Sequence, residues 1–169
     1  LTERLYRYAI AYKPYAVLCA HRDRYNRMAL GSLDIPQELH PVGRLDLDSE
    51  GLLLLTNDGP LQHHVTHPDF NHAKTYLALV VGHPETETLQ HLREGVEIKL
   101  GVTRPADVEI LPDEPALPPF PKPLPASSKT TWLRIVLYEG KKRQIKRMLS
   151  AVGLPIVRLV RVAIGPLTL

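Results

Sequence analysis

Leu52 to Thr56, the run LLLLT, constrains the fold of this 169-residue chain more than any other stretch. Four consecutive leucines cannot lie on a half-wetted sheet, because every second side chain would meet water. Such a run reads as a short strand covered on both faces, so the fold must supply packing layers on either side of it. Turn-forming segments bound it: Asp48-Ser49-Glu50-Gly51 before and Asn57-Asp58-Gly59-Pro60 after. The second predicts a helix start, with Asn57 or Asp58 as N-cap and Pro60 in the first turn.

The other elements follow from periodicity. Tyr8 to Cys19 reads as a strand interrupted at Lys13-Pro14, and Thr75 to Val81 and Ile156 to Ile164 as further strands, the last stopped by Gly165-Pro166. Thr131 to Tyr138 alternates, with Leu133, Ile135 and Leu137 on one face and Trp132, Arg134, Val136 and Tyr138 on the other. Glu85 to Glu94 is a helix stopped by Gly95. Gly140 to Val152 is the best helix, with an apolar stripe of Ile145, Met148, Leu149 and Val152, Lys146 at its border, and Arg143 and Arg147 pointing outward. Pro112 to Pro125 has seven prolines in fourteen residues, which excludes a helix or a central strand. It reads as an extended surface connection, with a proline-recognition ligand as the alternative. The sum is α+β: a mixed, mainly antiparallel sheet flanked by helices, with a cleft across it. One domain over residues 1–169 is expected, its two lobes joined by the connection at 112–125.

Composition narrows the function classes. The chain is 44% hydrophobic and 23% charged, enough for a packed core. No apolar run approaches the ~20 residues of a membrane span. One cysteine, Cys19, excludes an internal disulfide framework and fits a reducing, cytoplasmic compartment. Leu1 to Leu30 holds six basic and two acidic residues, Gly31 to Glu139 eight and sixteen, and Gly140 to Leu169 seven and none. Basic ends on an acidic body point to a polyanionic partner, with nucleic acid first and a merely solvated basic helix as the alternative. No nucleotide-cradling glycine motif is present. His63, His64, His67 and His72 lack metalloprotease spacing or a cysteine partner and read as surface or loop histidines, so no metal site is predicted.

The segment Arg44-Leu45-Asp46-Leu47-Asp48 supports several chemical readings. If extended, it puts Arg44, Asp46 and Asp48 on one side. The two carboxylates could hold a divalent cation or act as acid and base. One could instead be a nucleophile walled by leucines and kept ionised by a distant cation such as Lys146. The plainer alternative is an Arg44–Asp46 ion pair, with Asp48-Ser49 making a turn.

GRLDLDSEGLLLLTNDG, from Gly43 to Gly59, resembles the signature segment of the ribosomal RNA pseudouridine synthases of the RsuA family. KTYLALVVG, Lys74 to Gly82, resembles that family's tyrosine strand, and Glu139 to Leu167 its C-terminal helix–strand motif. Lys13-Pro14 matches the K-P near the start of the domain. With few residues ahead of Lys13, no N-terminal S4-type domain is expected, and the proline-rich insertion points to the RluE-type subgroup. The resemblance implies that the chain isomerises one uridine of 23S rRNA, near the peptidyl-transferase centre, as a monomer without cofactor or metal. It makes Asp46 the catalytic aspartate, Tyr76 the tyrosine that stacks on the base, and Lys146 the cation paired with Asp46. Arg44 holds the flipped-out state and Leu159 packs against the site. Lys13, Lys74, Lys141, Lys142, Arg143, Arg147 and Arg161 complete the substrate-binding set. Leu47 departs from relatives, which often carry a basic or aromatic residue there. On this reading Asp46 acts alone, Asp48 shapes the turn, and whether Asp46 attacks C1′ or C6 or removes a ribose proton stays open. The competing functions are a non-catalytic rRNA-binding assembly factor and a metal-dependent nuclease using both aspartates.

Overall fold

The computed structural model describes residues 5–126 and 129–169. Its main sheet has eight strands. The central path runs β1 (Tyr8–Lys13), β3 (Glu50–Thr56), β9 (Ile156–Ile164), β4 (Lys74–Val81), β8 (Thr130–Leu137) and β7 (Asp107–Ile110). Two short strands attach to it, β2 (His40–Val42) on β3 and β10 (Leu167–Thr168) on β9. A separate ribbon pairs β5 (Glu97–Ile98) with β6 (Gly101–Val102). Three α-helices flank the strands: α1 (Gly59–Thr66), α2 (Thr86–Glu94) and α3 (Gln144–Ala151). Every pairing in the main sheet is antiparallel except β3 with β9, so the sheet is mixed and mainly antiparallel. No helix among the described residues is long and apolar enough to cross a membrane.

The leucine run is covered on both faces. All seven residues of β3 are buried. Leu53 and Leu55 pack with Val17, Cys19, Leu30 and Leu39, whereas Leu52 and Leu54 pack with Val42, Ile164 and Val65 of α1. Asp58 is the N-cap of α1, its carboxylate accepting the Leu61 N–H at 3.0 Å. Asn57 instead accepts the Arg7 N–H at 2.8 Å. The larger core joins Leu133, Ile135 and Leu137 of β8 to Ile145, Met148 and Leu149 of α3 and to Leu89 and Leu92 of α2. On the opposite face, Trp132 packs with Leu77, Leu79, Leu111 and Leu117. The proline-rich segment is extended, as its composition requires, but it is pinned to the sheet: Arg158 donates to the Pro118 carbonyl at 2.8 Å and rests 5.1 Å from the Phe120 ring centre.

One boundary differs from the periodicity. The helix starts at Gln144 rather than Gly140, and Arg143 is its N-cap in the left-handed region, φ +54°. The Gln144 side chain accepts the Lys141 N–H and donates to the buried Glu139 carboxylate, which ties residues 139–143 into a turn ahead of the helix. Arg143 is exposed, as expected, but it precedes the helix rather than belonging to it. Arg147 does not point outward: it is half-buried, and its Nη1 is enclosed without a partner among the described residues.

The cleft arises where β3 parts from its neighbour. β1 occupies one edge of β3 along its length. The other edge meets β9 only at Glu50–Val160 and Gly51–Arg161, then meets β2 at Leu54 to Thr56. The β2–β3 loop, residues 43–49, emerges in this opening. The close approach needs Gly51, with φ +111°, because a Cβ there would sit 2.1 Å from the Arg161 carbonyl oxygen. Gly51→Ala should cost about 3 kcal/mol from left-handed strain and overpacking together. Thermal unfolding should then shift down by roughly 10 °C in a chain of this size. A midpoint within about 2 °C of wild type would show that the strands need no such approach.

Candidate active site

The opening leads into a cleft of about 750 Å³, within the range of small-molecule sites. Arg44, Asp46, Leu47 and Ser49 of the 43–49 loop line it, with Tyr76 and Lys74 of β4, Leu159 of β9, and Lys141, Lys142, Arg143 and Lys146 around the start of α3. Asp46, Tyr76 and Lys146, far apart in the chain, thus share one cavity.

Lys146 organises the floor. Its Nζ donates to Asp46 Oδ2 at 3.2 Å, to Asp48 Oδ1 at 2.5 Å and to Ser49 Oγ at 2.9 Å. The Arg143 guanidinium, brought round by its left-handed backbone, donates to both Asp48 oxygens at 3.2 Å and stands 3.6 Å from Asp46 Oδ2. Burial pushes the Asp48 carboxyl up, but hydrogen bonds from Lys146 and Arg143 outweigh it and hold the group at about 2. The two aspartates therefore form one cluster through shared cations, which corrects the reading of Asp48 as a turn-former alone. The turn exists as well, closed by the Ser49 N–H on the Asp46 carbonyl at 3.1 Å. Arg44 is exposed at the rim and makes no ion pair with Asp46, which removes the plainer alternative.

Two residues of the predicted substrate-binding set brace the loop instead. Lys13 is fully buried, its ammonium spent on the Pro14 and Val17 carbonyls at 2.8 and 2.7 Å, with the Leu47 carbonyl at 3.5 Å. Burial lowers its pKa to about 8. Arg161, 1% exposed, donates to the Leu52 carbonyl at 2.9 Å and the Gly43 carbonyl at 2.7 Å, filling the gap between β3 and β9. Both side chains are buried with their polar groups on backbone carbonyls, and Arg161 also lines the cleft. Lys74 is half-buried on the wall and donates to the His72 carbonyl at 3.3 Å, and burial lowers its pKa. Lys141 pairs with Glu139, whereas Lys142 is exposed.

Glu139 and Gln144 are site residues that periodicity did not reveal. Glu139 also accepts the Arg104 N–H at 2.8 Å, so it knots the 103–105 loop to the turn that carries Arg143. The four histidines sit on and after α1, where the His64 ring lies tilted against the exposed Phe70 at 4.0 Å and edge-on to His72 at 5.0 Å.

Residues 7–151 match the family model for RNA pseudouridylate synthases. The chain is 46% identical over 159 residues to the ribosomal large subunit pseudouridine synthase E of Xanthomonas axonopodis pv. citri, covering 90% of this chain and 83% of that protein. It is 43% identical to the enzyme of the same name from Vibrio parahaemolyticus, over 93% of this chain and 66% of that one. A crystal structure of a pseudouridylate synthase superposes with TM-score 0.80 at 30% identity, over 97% of this chain and 65% of that one. With the RLD loop, the tyrosine strand and the lysine of α3 gathered in one cleft, the chain belongs to the RNA pseudouridine synthases, in the RluE-type group of the RsuA family.

Proposed function

We propose that this enzyme isomerises one uridine of 23S ribosomal RNA, with Asp46 as the reacting carboxylate, and that it works as a cytoplasmic monomer without metal or cofactor. The observation that carries the reading is the Lys146 ammonium, 3.2 Å from Asp46 at the floor of a cleft walled by Tyr76 and Leu159. The names of the large-subunit relatives support the choice of RNA.

The chemistry breaks the N1–C1′ bond, turns the uracil and joins C5 to C1′, with C5 giving up its proton and N1 gaining one. A stacked base cannot do this, so the uridine is flipped into the cleft, at a cost of a few kcal/mol. Stacking on Tyr76 offsets ~1–3 kcal/mol of that. The exposed Arg44 takes the vacated place in the RNA. Lys146 holds the Asp46 carboxylate in place by its hydrogen bond at 3.2 Å. Both cations approach Asp46 through Oδ2. Oδ1 is left as the oxygen that meets the substrate. Arg143 is 41% exposed and its ion pairs are long. Such pairs contribute ~0–1 kcal/mol, so Arg143 can exchange a carboxylate for a phosphate, while Lys142 contacts the backbone directly.

Asp46→Asn should abolish pseudouridine formation, read by carbodiimide mapping of 23S rRNA, while RNA affinity stays within a few-fold. Conversion at a comparable rate would remove Asp46 from the chemistry. Lys146→Met removes the ammonium that positions the Asp46 carboxylate, so pseudouridine formation should slow by about ten-fold or more. A rate within about two-fold of wild type would dissolve the pairing. Mapping rRNA from cells with and without the gene tests the substrate: loss of no pseudouridine from 23S rRNA would refute it.

A further inference from the structure

We propose that the loop His21–Met28 (HRDRYNRM) is a phosphate clamp at the mouth of the cleft. In it Arg22, Arg24 and the outer edge of Arg27 hold the backbone of the RNA strand that carries the target uridine. The inference rests on the RNA-modifying reading above and extends it to a segment outside the cleft residues.

The basic excess of the first thirty residues has one surface outlet among the described residues. Arg7 pairs with Glu38 and Lys13 is buried. Arg22, Arg24 and Arg27 lie together on this exposed loop. The loop is rooted in the cleft wall. Leu18 and Cys19 line the cleft, and the Leu18 N–H donates to the Met28 carbonyl at 2.9 Å, closing the loop at its base. The Leu30 and Gly31 N–H groups close the next two rungs, on the Ala20 and His21 carbonyls at 2.8 and 3.2 Å.

Inside the loop, Asp23 sets the geometry. Its Oδ2 accepts the backbone N–H groups of Tyr25 and Arg27 at 3.1 and 2.9 Å, and its two oxygens take the Nε and Nη2 of Arg27, each at 3.0 Å. The carboxylate is thereby spent within the loop. Tyr25 stands out, 68% exposed, with the Arg24 and Arg27 guanidinium groups 5.3 and 5.4 Å from its ring centre. Arg22 and Arg24 make no ion pair among the described residues. A guanidinium resting on an aromatic ring loses freedom before any ligand arrives, so less is lost when it forks onto a phosphate.

Charge placement selects a polyanion. The other cationic edge of the same cleft is Lys142 and Arg143, so the flipped strand runs between two positive rims while the acidic body repels it elsewhere. Phosphate contacts position RNA without reading sequence. The clamp therefore adds affinity and orientation, and the cleft keeps the choice of base.

The test is filter binding of an unmodified 23S rRNA transcript between about 50 and 200 mM salt. Replacing Arg22→Gln with Arg24→Gln should lower the slope of log affinity against log salt by about 1.5 and weaken binding roughly thirty-fold near 0.1 M. The pair Arg22→Lys and Arg24→Lys, which keeps both charges, should hold the wild-type slope. Tyr25→Ala should leave the slope alone and weaken binding several-fold at every salt concentration. A wild-type slope in the glutamine variant, with the wild-type protein binding steeply, overturns the clamp and spares the activity. A wild-type protein that neither binds nor modifies the transcript overturns the reading beneath it.

Discussion

The two-residue parallel contact between β3 and β9 governs everything at the site. Glu50 and Gly51 meet Val160 and Arg161, and beyond them the strands part. Strands that separate leave ladder groups unpaired, which is costly unless a side chain satisfies them. Arg161 does so, bonding the Leu52 carbonyl and reaching on to the Gly43 carbonyl at the head of the 43–49 loop. The Ala16 N–H and Lys13 meet the Leu47 carbonyl from below. The loop is thus gripped near both ends by buried cationic side chains bonded to its carbonyls. That grip explains how an irregular segment can hold a carboxylate rigidly, which is what preorganised catalysis requires.

Charge balance at the floor follows from the same geometry. Asp46 and Asp48 face Lys146 and Arg143, two anions against two cations, so the cluster is neutral in the free enzyme. Lys146 is only 10% exposed at its side chain. A lysine that buried is costly when unpaired, and three oxygen acceptors compensate it. Arg143 is the exposed member, held through a left-handed backbone rather than a rigid helix. Within the proposed function, this divides labour: Lys146 positions Asp46, and Arg143 is free to follow the RNA.

Much of the fold was legible because local pattern and tertiary demand agreed. The leucine run predicted a doubly covered strand, and Leu53 with Leu55 and Leu52 with Leu54 do face two different cores. The alternation of Thr131–Tyr138 separated Ile135 from Trp132 correctly. The start of α3 was not legible, since Gln144, Glu139 and Arg104 hold the turn through side-chain bonds that periodicity does not register. At the site, family motifs singled out Lys13 and Arg161 without indicating whether they touch substrate or protein. Burial decides that, and their carbonyl partners lie up to 118 residues away. The role of Asp48 was hidden for a related reason: a two-residue offset from Asp46 carries no information about a lysine 98 residues on.

The proline-rich segment finds its explanation in the same frame. Helices α2 and α3 cover one face of β4 and β8, which leaves Leu77, Leu79 and Trp132 to be covered on the other. Leu111, just after β7, and Leu117 of the extended strap do this, and the strap's prolines limit the entropy lost on ordering it. Arg158 fastens the strap through the Pro118 carbonyl and forks onto the buried Glu50 with two bonds of 2.9 Å, while Tyr12 donates to the same carboxylate. Glu50 is also the residue that meets Val160 in the parallel contact. The cover of the rear face and the opening that holds Asp46 therefore share one ion pair. Loosening the strap would remove one partner of the Arg158 guanidinium that also holds Glu50, and losing a member of such a buried pair leaves an uncompensated charge worth ~3–5 kcal/mol beside the parallel pairing of β3 with β9.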